Sequence, residues 1–451
     1  MSDYKEYKLR DLVTFSQGIQ VPVEEQSNTR HSNMERFVRI VDFTNPNEEP
    51  RFIKIKDSKY WVNKKNVVMI RYGSATAGKV VRGLEGYIAN NMFKVIPNKS
   101  ILNEEFLYYF LSQSSIYSYL MNSQSSSTMP AIKFSDFDNI KIKLPSLDIQ
   151  KHIALKLNRL NNKIELNTQI NQTLEQISQA LFKSWFVDFD PVRAKVQALS
   201  DGLSPEQAEL AAMQAISGKT PEELTALSQT QPDRYAELAE TAKAFPCEMV
   251  EVDGVEVPKG WNLKALSDLG QIICGKTPSK SNKEFYGNDV PFIKIPDMHN
   301  QVFITQTTDN LSVAGANSQS KKYIPPKSIC VSCIATVGLV SMTSKPSHTN
   351  QQINSIIPND EKTSEFLYLS LKQPSMTKYL KDLASGGSAT LNLNTSTFSK
   401  IEIITPSKEI IDIFHNKVFY TFEKVLSNSI ENKRLAKTRD LLLPRLLNGE
   451  I

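Results

Sequence analysis

Lys141-Ile-Lys-Leu-Pro-Ser146 is a short apolar run that ends in Pro-Ser, and it returns as Glu402-Ile-Ile-Thr-Pro-Ser407 later in the chain. Four further segments recur in the same order: Tyr7–Leu12 as Trp261–Leu266, Phe37–Asp42 as Phe292–Asp297, Ala75–Val80 as Ala335–Val340, and Ile96–Tyr108 as Ile357–Tyr368. The offset between the copies drifts only from 254 to 261 over the five pairs. Chance matches would not stay collinear, so the sequence predicts an internal duplication.

Each copy has the pattern of a mixed α+β domain. Short runs rich in β-branched residues, such as Ile329–Ile334, alternate with Gly, Asn, Ser and Pro. One helix is expected within each copy, near Glu104–Ser112 and near Ser364–Leu371. The sequence therefore predicts two tandem domains, over residues 1–146 and 258–406.

A long helix is predicted after each domain, over residues 147–197 and, together with a C-terminal tail, over residues 407–451. Apolar residues recur in both stretches at three- and four-residue spacing, which is typical of a helix with one buried stripe. Because such a helix needs a partner, we expect the two helices to pack against each other. Asn167 and Asn171 interrupt the first stripe and are expected to set its register. Pro444 is expected to end the second helix.

The net charge of +5 is unevenly distributed along the chain. Residues 198–246 contain eight acidic and three basic residues, so this segment carries −5 and the rest of the chain +10. Pro205, Pro221 and Pro232 divide the segment, and we expect three short helices in an acidic insert or linker over 198–257. The basic remainder is compatible with contacts to DNA phosphates, and equally with an ordinary solvated surface.

The cellular setting is inferred from features that the sequence lacks. The chain begins with charged residues rather than a signal peptide, and its most apolar stretch, Ile329–Met342, is too short to cross a bilayer. Four cysteines in 451 residues do not make a disulfide framework. We therefore expect a cytoplasmic protein.

Gly270-Gln-Ile-Ile-Cys-Gly-Lys-Thr277 matches the phosphate-loop pattern G-x-x-x-x-G-K-[ST] letter for letter. Such a loop needs a helix that opens at its Lys-Thr, so that free N–H groups face the phosphates. Here Pro278 follows at once, and the first copy has no corresponding lysine. A P-loop nucleotide-hydrolysing enzyme that uses Gly270–Thr277 is one alternative function, and a coiled-coil scaffold that binds only protein is another.

Cys330 and Cys333 have the spacing of a metal or redox pair. In a β-strand, however, an odd separation sends the two side chains to opposite faces. By the repeat, their counterparts in the first copy are Ile70 and Gly73. We therefore expect both cysteines to pack inside a strand rather than to bind metal.

Other catalytic patterns are weak. Asp42 together with Asp57-Ser-Lys59 only faintly resembles a nuclease metal site. The five histidines show no metal-ligand spacing, and the [DNS]-P-P-[YF] tetrapeptide of amino-methyltransferases is missing. No catalytic residue and no metal ligand is predicted.

Basic, amide and hydroxyl side chains are concentrated in the predicted loops of both copies. Side chains of these types make the base-edge and phosphate contacts of DNA-binding proteins. The candidates for DNA binding in the first domain are Arg71, Tyr72, Ser74, Lys79, Arg82, Thr128 and Lys133. The candidates in the second domain are Lys276, Thr277, Ser279, Lys280, Lys283, Lys294, Thr336, Ser388, Asn392 and Asn394.

Over essentially its whole length, the chain resembles the specificity subunit of type I restriction–modification enzymes. The similar phrases are Leu144-Pro-Ser-Leu-Asp-Ile-Gln-Lys151 at the strand-to-helix junction, Ala180–Lys195 at the end of the first helix, Ser385-Gly-Gly-Ser-Ala-Thr-Leu-Asn392 before the last strand, and Leu442-Leu-Pro-Arg-Leu-Leu-Asn-Gly-Glu-Ile451. The first copy departs from the family at Ser123–Pro130, which lacks the glycines.

The resemblance implies a non-catalytic subunit of a multi-subunit methyltransferase and endonuclease. Two target-recognition domains would each read half of a split, asymmetric site in double-stranded DNA from the major groove. The helices, packed as an antiparallel coiled coil, would fix the distance between the half-sites. Two methyltransferase subunits with S-adenosylmethionine, and restriction subunits that use ATP and Mg, are the implied protein partners. The resemblance implies no cofactor on this chain itself.

Overall fold

The structure is a computed structural model that describes residues 4–45, 48–73, 75–123, 131–252, 254–385 and 390–450. The chain forms two compact units, one of residues 1–164 and 434–451 and the other of residues 165–433. Two long helices, Leu147–Phe186 and Lys408–Leu447, each contribute to both units. Each unit therefore contains one domain together with parts of both helices.

The first unit contains the domain that precedes the first long helix. Its strands are β1 Lys5–Lys8, β2 Val13–Gln17, β3 Met34–Val38, β4 Arg51–Lys54, β5 Trp61–Val62, β6 Val68–Ile70, β7 Val80–Val81, β8 Gly86–Ile88, β9 Met92–Pro97 and β10 Lys141–Leu144. Its helices are α1 Leu9–Leu12, α2 Val41–Thr44, α3 Glu104–Leu111, α4 Ser114–Asn122 and the beginning of α5 Leu147–Phe186. The strands form sheets in the orders β2-β9-β6-β7 and β4-β3-β8-β5, together with the pair β1-β10.

The second unit contains the acidic insert and the second domain. Its strands are β11 Met249–Val252, β12 Val255–Pro258, β13 Asn262–Ala265, β14 Gly270–Cys274, β15 Tyr286–Ile293, β16 Phe303–Ile304, β17 Asp309–Leu311, β18 Ile329–Ser332, β19 Val340–Thr343, β20 His348–Thr349, β21 Ile353–Pro358 and β22 Glu402–Thr405. Its helices are α6 Asp190–Ser200, α7 Pro205–Ser217, α8 Pro221–Thr230, α9 Pro232–Ala244, α10 Leu266–Leu269, α11 Val313–Asn317, α12 Ser364–Lys372, α13 Pro374–Ala384, α14 Thr395–Ser399 and most of α15 Lys408–Leu447. Among the described residues, none of the helices has the length and hydrophobicity that crossing a membrane requires.

The two domains share one strand arrangement, which confirms the duplication and the predicted α+β class. The order β14-β21-β18-β19 repeats β2-β9-β6-β7, and β13 pairs with β22 as β1 pairs with β10. Parallel pairing recurs at the same place, because β15 lies beside β20 as β3 lies beside β8. The second domain adds β16 at the edge of its main sheet.

The aspartates of the recurring segments have the same structural role in both domains. Asp42 accepts a hydrogen bond from the backbone N–H of Arg39 at 2.6 Å, and Asp297 accepts one from Lys294 at 2.9 Å. Asp57 accepts a hydrogen bond from the backbone N–H two residues later, at 2.9 Å. These carboxylates close turns, and the described residues include no group of three or more side chains that could hold a metal ion. The faint similarity to a nuclease site therefore has no structural support.

Helices α5 and α15 pack antiparallel in the second unit. Asn428 Nδ2 donates to Asn171 Oδ1 at 2.9 Å, and Asn167 Nδ2 donates to Glu431 Oε2 at 2.7 Å. Asn167 and Asn428 are each 1% exposed. Amides buried in an apolar seam favour one register, because a slip would leave them without hydrogen bonds. The expectation that Asn167 and Asn171 lie in the seam is confirmed.

Helix α15 does not end at Pro444, so that prediction is wrong. The helix continues through the proline to Leu447. A proline inside a helix removes one N–H donor and costs about 3 kcal/mol. Leu443, Leu446 and Leu447 are buried in the core of the first unit, and this apolar burial offsets the lost hydrogen bond.

Helix α5 ends at Phe186, eleven residues before the end that the sequence predicted for it. Phe189 then adopts a left-handed backbone conformation with φ of 57°, and α6 begins at Asp190. Such a conformation costs about 1–2 kcal/mol for a residue with a Cβ atom. Burial of the Phe189 ring against Trp261, at a centroid distance of 5.6 Å, offsets this cost.

The acidic insert forms the three helices that the sequence predicted. Each of α7, α8 and α9 begins at a proline in the first helical position, where no N–H partner is needed. The three helices share a small core of their own that includes Met213 and Leu224. Lys195 Nζ of α6 is buried and donates to the backbone carbonyl of Phe245 at 2.7 Å, which ties α6 to the end of α9.

Each domain contains helices that the sequence did not predict: the short α1 and α2 in the first, α10, α11 and α14 in the second, and one longer helix in each. The expected helices are α3 and α12, and α4 and α13 follow them directly. The buried side chains of these second helices are few, Leu120 in α4 and Leu380 with Ala384 in α13. An apolar stripe this short does not distinguish a helix from a loop in the sequence.

We expect the second unit to lose stability as the pH falls from about 6.5 toward 4. The His348 side chain is fully buried on β20 beside the Tyr323 ring, at 4.3 Å between centroids, and burial lowers the pKa of His348 to about 4. Below pH 6.5 the unfolded chain binds a proton that the folded chain does not, so acid favours unfolding, by about 2 kcal/mol at pH 5. Urea unfolding at pH 7.5 and pH 5 measures this loss. In His348→Phe the loss should be smaller by that amount, and an equal loss in both proteins would contradict the assignment.

Candidate nucleic-acid interface

Backbone hydrogen bonds join the loops at one end of the main sheet of the first domain. Gly18 N–H donates to Met92 O at 3.0 Å, and Arg71 N–H donates to Asn91 O at 2.8 Å. Ile132 N–H donates to Arg71 O at 3.0 Å. These bonds bring together the ends of β2 and β6, the turn before β9 and the segment that precedes β10. We call residues 17–20, 71–73, 75–79, 89–91 and 131–133 loop cluster 1.

The second domain repeats this hydrogen-bond framework. Gly275 N–H donates to Ile353 O at 3.1 Å, and Cys333 N–H donates to Gln352 O at 2.8 Å. Leu393 N–H donates to Cys333 O at 2.8 Å. We call residues 274–278, 333–338, 349–352 and 391–394 loop cluster 2. The two clusters are built from equivalent loops, so the domains present the same backbone framework with different side chains.

This framework corrects the sequence alignment at the cysteines. The counterpart of Cys333 is Arg71 rather than Gly73, since both make the same two backbone hydrogen bonds. The turn that follows closes by a bond from Gly78 N–H to Ile70 O in the first domain and from Gly338 N–H to Ser332 O in the second. The turn of the first domain is two residues longer than that of the second. This difference shifted the sequence alignment of the preceding strand by two residues.

A chain of polar side chains crosses loop cluster 1. Arg71 Nη1 donates to Gln17 Oε1 at 2.9 Å, and the Arg71 guanidinium lies 5.1 Å from the ring centroid of Tyr72. Gln17 Nε2 in turn donates to the backbone carbonyl of Asn90. Asn90 Nδ2 donates to Gln20 Oε1 at 3.3 Å. The exposed edge of this cluster therefore carries a guanidinium, a phenol and three amides in fixed positions.

Loop cluster 2 carries different chemistry on the same framework. Thr277 Oγ1 donates to Gln351 Oε1 at 2.6 Å, and the Lys276 side chain is exposed beside it. Thr336 and Asn392 are also exposed on the neighbouring loops. Hydroxyl and amide groups near an exposed ammonium group can contact base edges and phosphates.

The structure brings some of the candidate residues together and leaves others apart. Arg71, Tyr72 and Lys79 lie in loop cluster 1 with Lys133, and Lys276, Thr277, Thr336, Asn392 and Asn394 lie in loop cluster 2. Ser279, Lys280 and Lys283 are exposed on the segment that leads from loop cluster 2 to β15. Ser74, Thr128 and Ser388 lie outside the described residues.

Arg82, Lys294 and Asn394 also have side-chain contacts within the protein. Arg82 Nη2 donates to Asn158 Oδ1 of α5 at 2.9 Å, and its guanidinium lies 3.9 Å from the Tyr108 ring centroid. Lys294 forms an ion pair with Asp309. Asn394 caps α14, since its Oδ1 accepts from the backbone N–H three residues on at 2.8 Å. Their role in DNA binding stays a prediction.

The geometry of Gly270–Thr277 does not fit a phosphate loop. Residues Gly270–Cys274 form β14, and no helix opens at Lys276 or Thr277. The Gly275 N–H donates to Ile353 O, and Lys276 N–H donates to Thr349 O at 3.0 Å. Both N–H groups are therefore used within the fold and cannot cradle phosphates.

The buried cysteines pack as the sequence predicted. Cys330 and Cys333 lie in separate apolar clusters, on opposite faces of the main sheet. Burial raises the pKa of Cys330 to about 12 and that of Cys333 to about 11. Both thiols are therefore protonated at neutral pH, as expected of cysteines packed in apolar surroundings.

Sequence reasoning missed the amide residues of the clusters. Gln17, Gln20, Asn90 and Gln351 were not among the candidates, although Gln17 is bonded to Arg71 and Gln351 to Thr277. Asn90 in turn links Gln17 to Gln20. Gln and Asn are common in loops, and only pairing across each sheet shows which of them lie beside a candidate residue. Recurrence of amides at the turn before β9 and at the turn before β21 was the available signal.

Comparisons with known proteins agree with this arrangement. The family described as type I restriction modification DNA specificity domain matches residues 1–176 and 258–437. The chain is 65% identical to the Type I restriction enzyme HindI specificity subunit of Haemophilus influenzae, with all of both chains covered. It is 34% identical over 189 residues to the Type I restriction enzyme MjaIX specificity subunit of Methanocaldococcus jannaschii, with 42% of each chain covered.

A solved structure supports the fold. The S subunit of a type I restriction–modification system from M. genitalium superposes with a TM-score of 0.54 at 14% identity, covering 99% of this chain and 96% of the other. The two matched regions of the family coincide with the two domains and parts of the long helices. The chain therefore belongs to the family of type I restriction enzyme specificity subunits.

Proposed function

We propose that this specificity subunit reads a bipartite, asymmetric DNA site, one half with loop cluster 1 and the other half with loop cluster 2. The observation that carries the proposal is the common hydrogen-bond framework of the two clusters and their different side chains. A repeated framework supplies two similar ways of docking on a duplex. Different side chains supply different base preferences, so the site is expected to be asymmetric.

The side chains divide into two expected kinds of contact. Exposed lysines, such as Lys79, Lys276 and Lys280, suit phosphates, because an ammonium on a flexible stem binds as a point charge. The paired Thr277 and Gln351 suit base edges, because their positions are fixed by their mutual hydrogen bond.

We propose further that the chain performs no chemistry alone and docks two methyltransferase subunits and the restriction subunits. S-adenosylmethionine, ATP and Mg are expected on those partners. The family relationship supports this division of labour, and so does the missing amino-methyltransferase tetrapeptide. The loop that matches the phosphate-binding pattern does not oppose it, because its backbone donors are used within the fold.

The test is to co-express the full chain with the methyltransferase subunit of its own system in a host without other DNA methylation. Single-molecule sequencing should show one methylated motif with two specified halves and an unspecified spacer. Omission of this chain should abolish methylation. A continuous palindromic motif, or methyl transfer by this chain without a partner, would contradict the proposal.

Lys276→Ala is expected to weaken binding of duplex DNA by up to about tenfold and to lower the salt slope of binding by about one. The reason is the loss of one phosphate contact. Lys264→Ala is the matched control, because Lys264 is an exposed lysine on β13. This strand precedes the start of β14, whereas Lys276 follows the end of β14. Titrations over a range of salt concentrations measure both quantities. ATP hydrolysis by the purified chain that disappears in Lys276→Ala would instead favour the nucleotide-hydrolysing alternative.

A further inference from the structure

Arg71 differs from the other cationic candidates in how firmly its side chain is held. It is partly buried, it follows the central strand β6 directly, and its backbone N–H and carbonyl are both bonded to neighbouring loops. Gln17 accepts from Nη1 at 2.9 Å, and the Tyr72 ring lies beside the guanidinium. Gln17 is itself anchored to the backbone of Asn90. The guanidinium is therefore oriented before any ligand binds.

The donors of this guanidinium are only partly used. Nη1 carries two hydrogens, and the bond to Gln17 takes one of them. Nη2 donates to no residue within the described ranges. Two parallel donors at a fixed orientation match the O6 and N7 acceptors of guanine in the major groove, which is the commonest specific contact of arginine with DNA.

We propose that Arg71 reads a guanine, so that the half-site of the first domain contains a G·C pair at a fixed position. Gln17 is the positioning residue that holds the guanidinium in the plane of that base. The inference rests on the proposed function and adds to it the class of base that one cluster recognises.

The second domain lacks this contact. The equivalent Cys333 is 2% exposed, and its sulfur accepts from Asn354 Nδ2 at 3.3 Å. No guanidinium or ammonium occupies that position on the shared framework. The two half-sites are therefore expected to differ in whether an arginine at this place selects guanine.

A phosphate contact is the competing role for Arg71. An arginine fork can bind a phosphate with two hydrogen bonds, but a phosphate also accepts a flexible cation such as the exposed Lys79. The hydrogen bond to Gln17 and the ring of Tyr72 constrain the plane of the guanidinium, and a base edge requires such a plane because its acceptors lie in the plane of the base. This geometry favours base reading over phosphate binding.

The experiment uses the full chain in complex with its methyltransferase subunits, and three variants, Arg71→Ala, Arg71→Lys and Arg10→Ala. Methylated motifs are mapped by sequencing, and affinity is measured on duplexes in which 7-deazaguanine replaces guanine at the position in question. Arg71→Lys keeps the charge and lacks the planar fork. Arg10 is an ion-paired arginine of the same domain, bound to Asp138 at 3.5 Å and located before β2.

Both Arg71 variants should accept any base at one former guanine position and leave the other half-site unchanged. Discrimination there should fall by about 10- to 100-fold. Replacement of this guanine by 7-deazaguanine, which lacks the N7 acceptor, should lower the DNA affinity of the wild-type complex. It should leave the affinity of the Arg71→Ala complex unchanged. Arg10→Ala should keep the original motif. Gln17→Leu, which removes the acceptor of Arg71 Nη1, should relax the same position.

Two results would overturn the inference. One is an unchanged motif in both Arg71 variants. The other is a phosphate contact, which has its own signature. Arg71→Ala would then bind all DNA sequences more weakly by the same factor, with a salt slope lower by about one, and Arg71→Lys would keep the wild-type affinity. A wild-type complex without sequence-specific methylation would instead refute the proposed function itself, so the two failures are distinguishable.

Discussion

Removal of four residues from each long helix is expected to move methylation to a motif with about two fewer unread bases in its spacer. Four helical residues correspond to about 6 Å, and stacked bases are about 3.4 Å apart. The chain passes between its two units twice, within α5 and within α15, so both helices must be shortened together.

The seam contacts define which residues to delete. Leu166–Gln169 and Ile430–Lys433 face each other, as the contact from Asn167 to Glu431 shows. The deletion leaves the Asn171–Asn428 pair in place, and that pair keeps the remaining register. Sequencing of methylated DNA measures the spacer.

Two controls accompany the paired deletion. Deletion of Leu166–Gln169 alone leaves helices of unequal length and should abolish methylation. Leu166→Ala should leave the motif unchanged, because Leu166 is 50% exposed. A paired-deletion protein that is folded and active with the original spacer would show that the helices do not set the distance between half-sites.

Phe414→Ala is expected to destabilise the second unit by about 3–5 kcal/mol, because it leaves a cavity at the centre of an aromatic cluster. The Phe414 ring is fully buried on α15 and lies 4.9 Å from the ring centroid of Phe186, 5.8 Å from that of Trp185 and 6.0 Å from that of Phe182. Urea unfolding followed by tryptophan fluorescence measures the loss.

Tyr420→Ala is the matched control for Phe414→Ala. Tyr420 lies on the same helix but is 80% exposed, so its truncation should change stability by less than about 0.5 kcal/mol. Equal effects of the two substitutions would show that the aromatic cluster is not the main contact between α15 and the rest of its unit.

Much of the fold follows from repetition and periodicity in the sequence. The recurring segments predict two domains of one type, and the structure confirms them, because most of the strand pairings recur in both domains. The stripes in α5 and α15 predict two packed helices, and the prolines of the insert predict three short ones. These features are local or regularly spaced, so neighbouring residues are enough to reveal them.

The predictions that failed depend on contacts between distant parts of the chain. Pro444 would end a helix by itself, but the helix continues because three leucines around it are buried in the first unit. The apolar spacing of α5 continues past Phe186, but the helix ends there because Phe189 packs against Trp261. Local propensity is worth a few kcal/mol at most, and burial in a distant core exceeds it.

The candidate site likewise combines features that the sequence predicts with contacts that only the folded chain shows. Residue types alone pointed to Arg71, Lys276 and Thr277, since cationic and hydroxyl groups in loops suit DNA. Nothing in the order of residues indicated that Gln17 would hold Arg71 or that Gln351 would hold Thr277, because these partners lie 54 and 74 positions apart.

The sequence by itself determined the duplication, the α+β class, the paired helices and the family. Each of these is a property of residue order, which the chain carries whether or not it is folded. Only the tertiary structure decided that Arg71 and Cys333 are equivalent and that one is oriented for a ligand while the other is buried. Hydrogen bonds between strands that are distant in sequence create that equivalence, so it exists only once the sheet has formed.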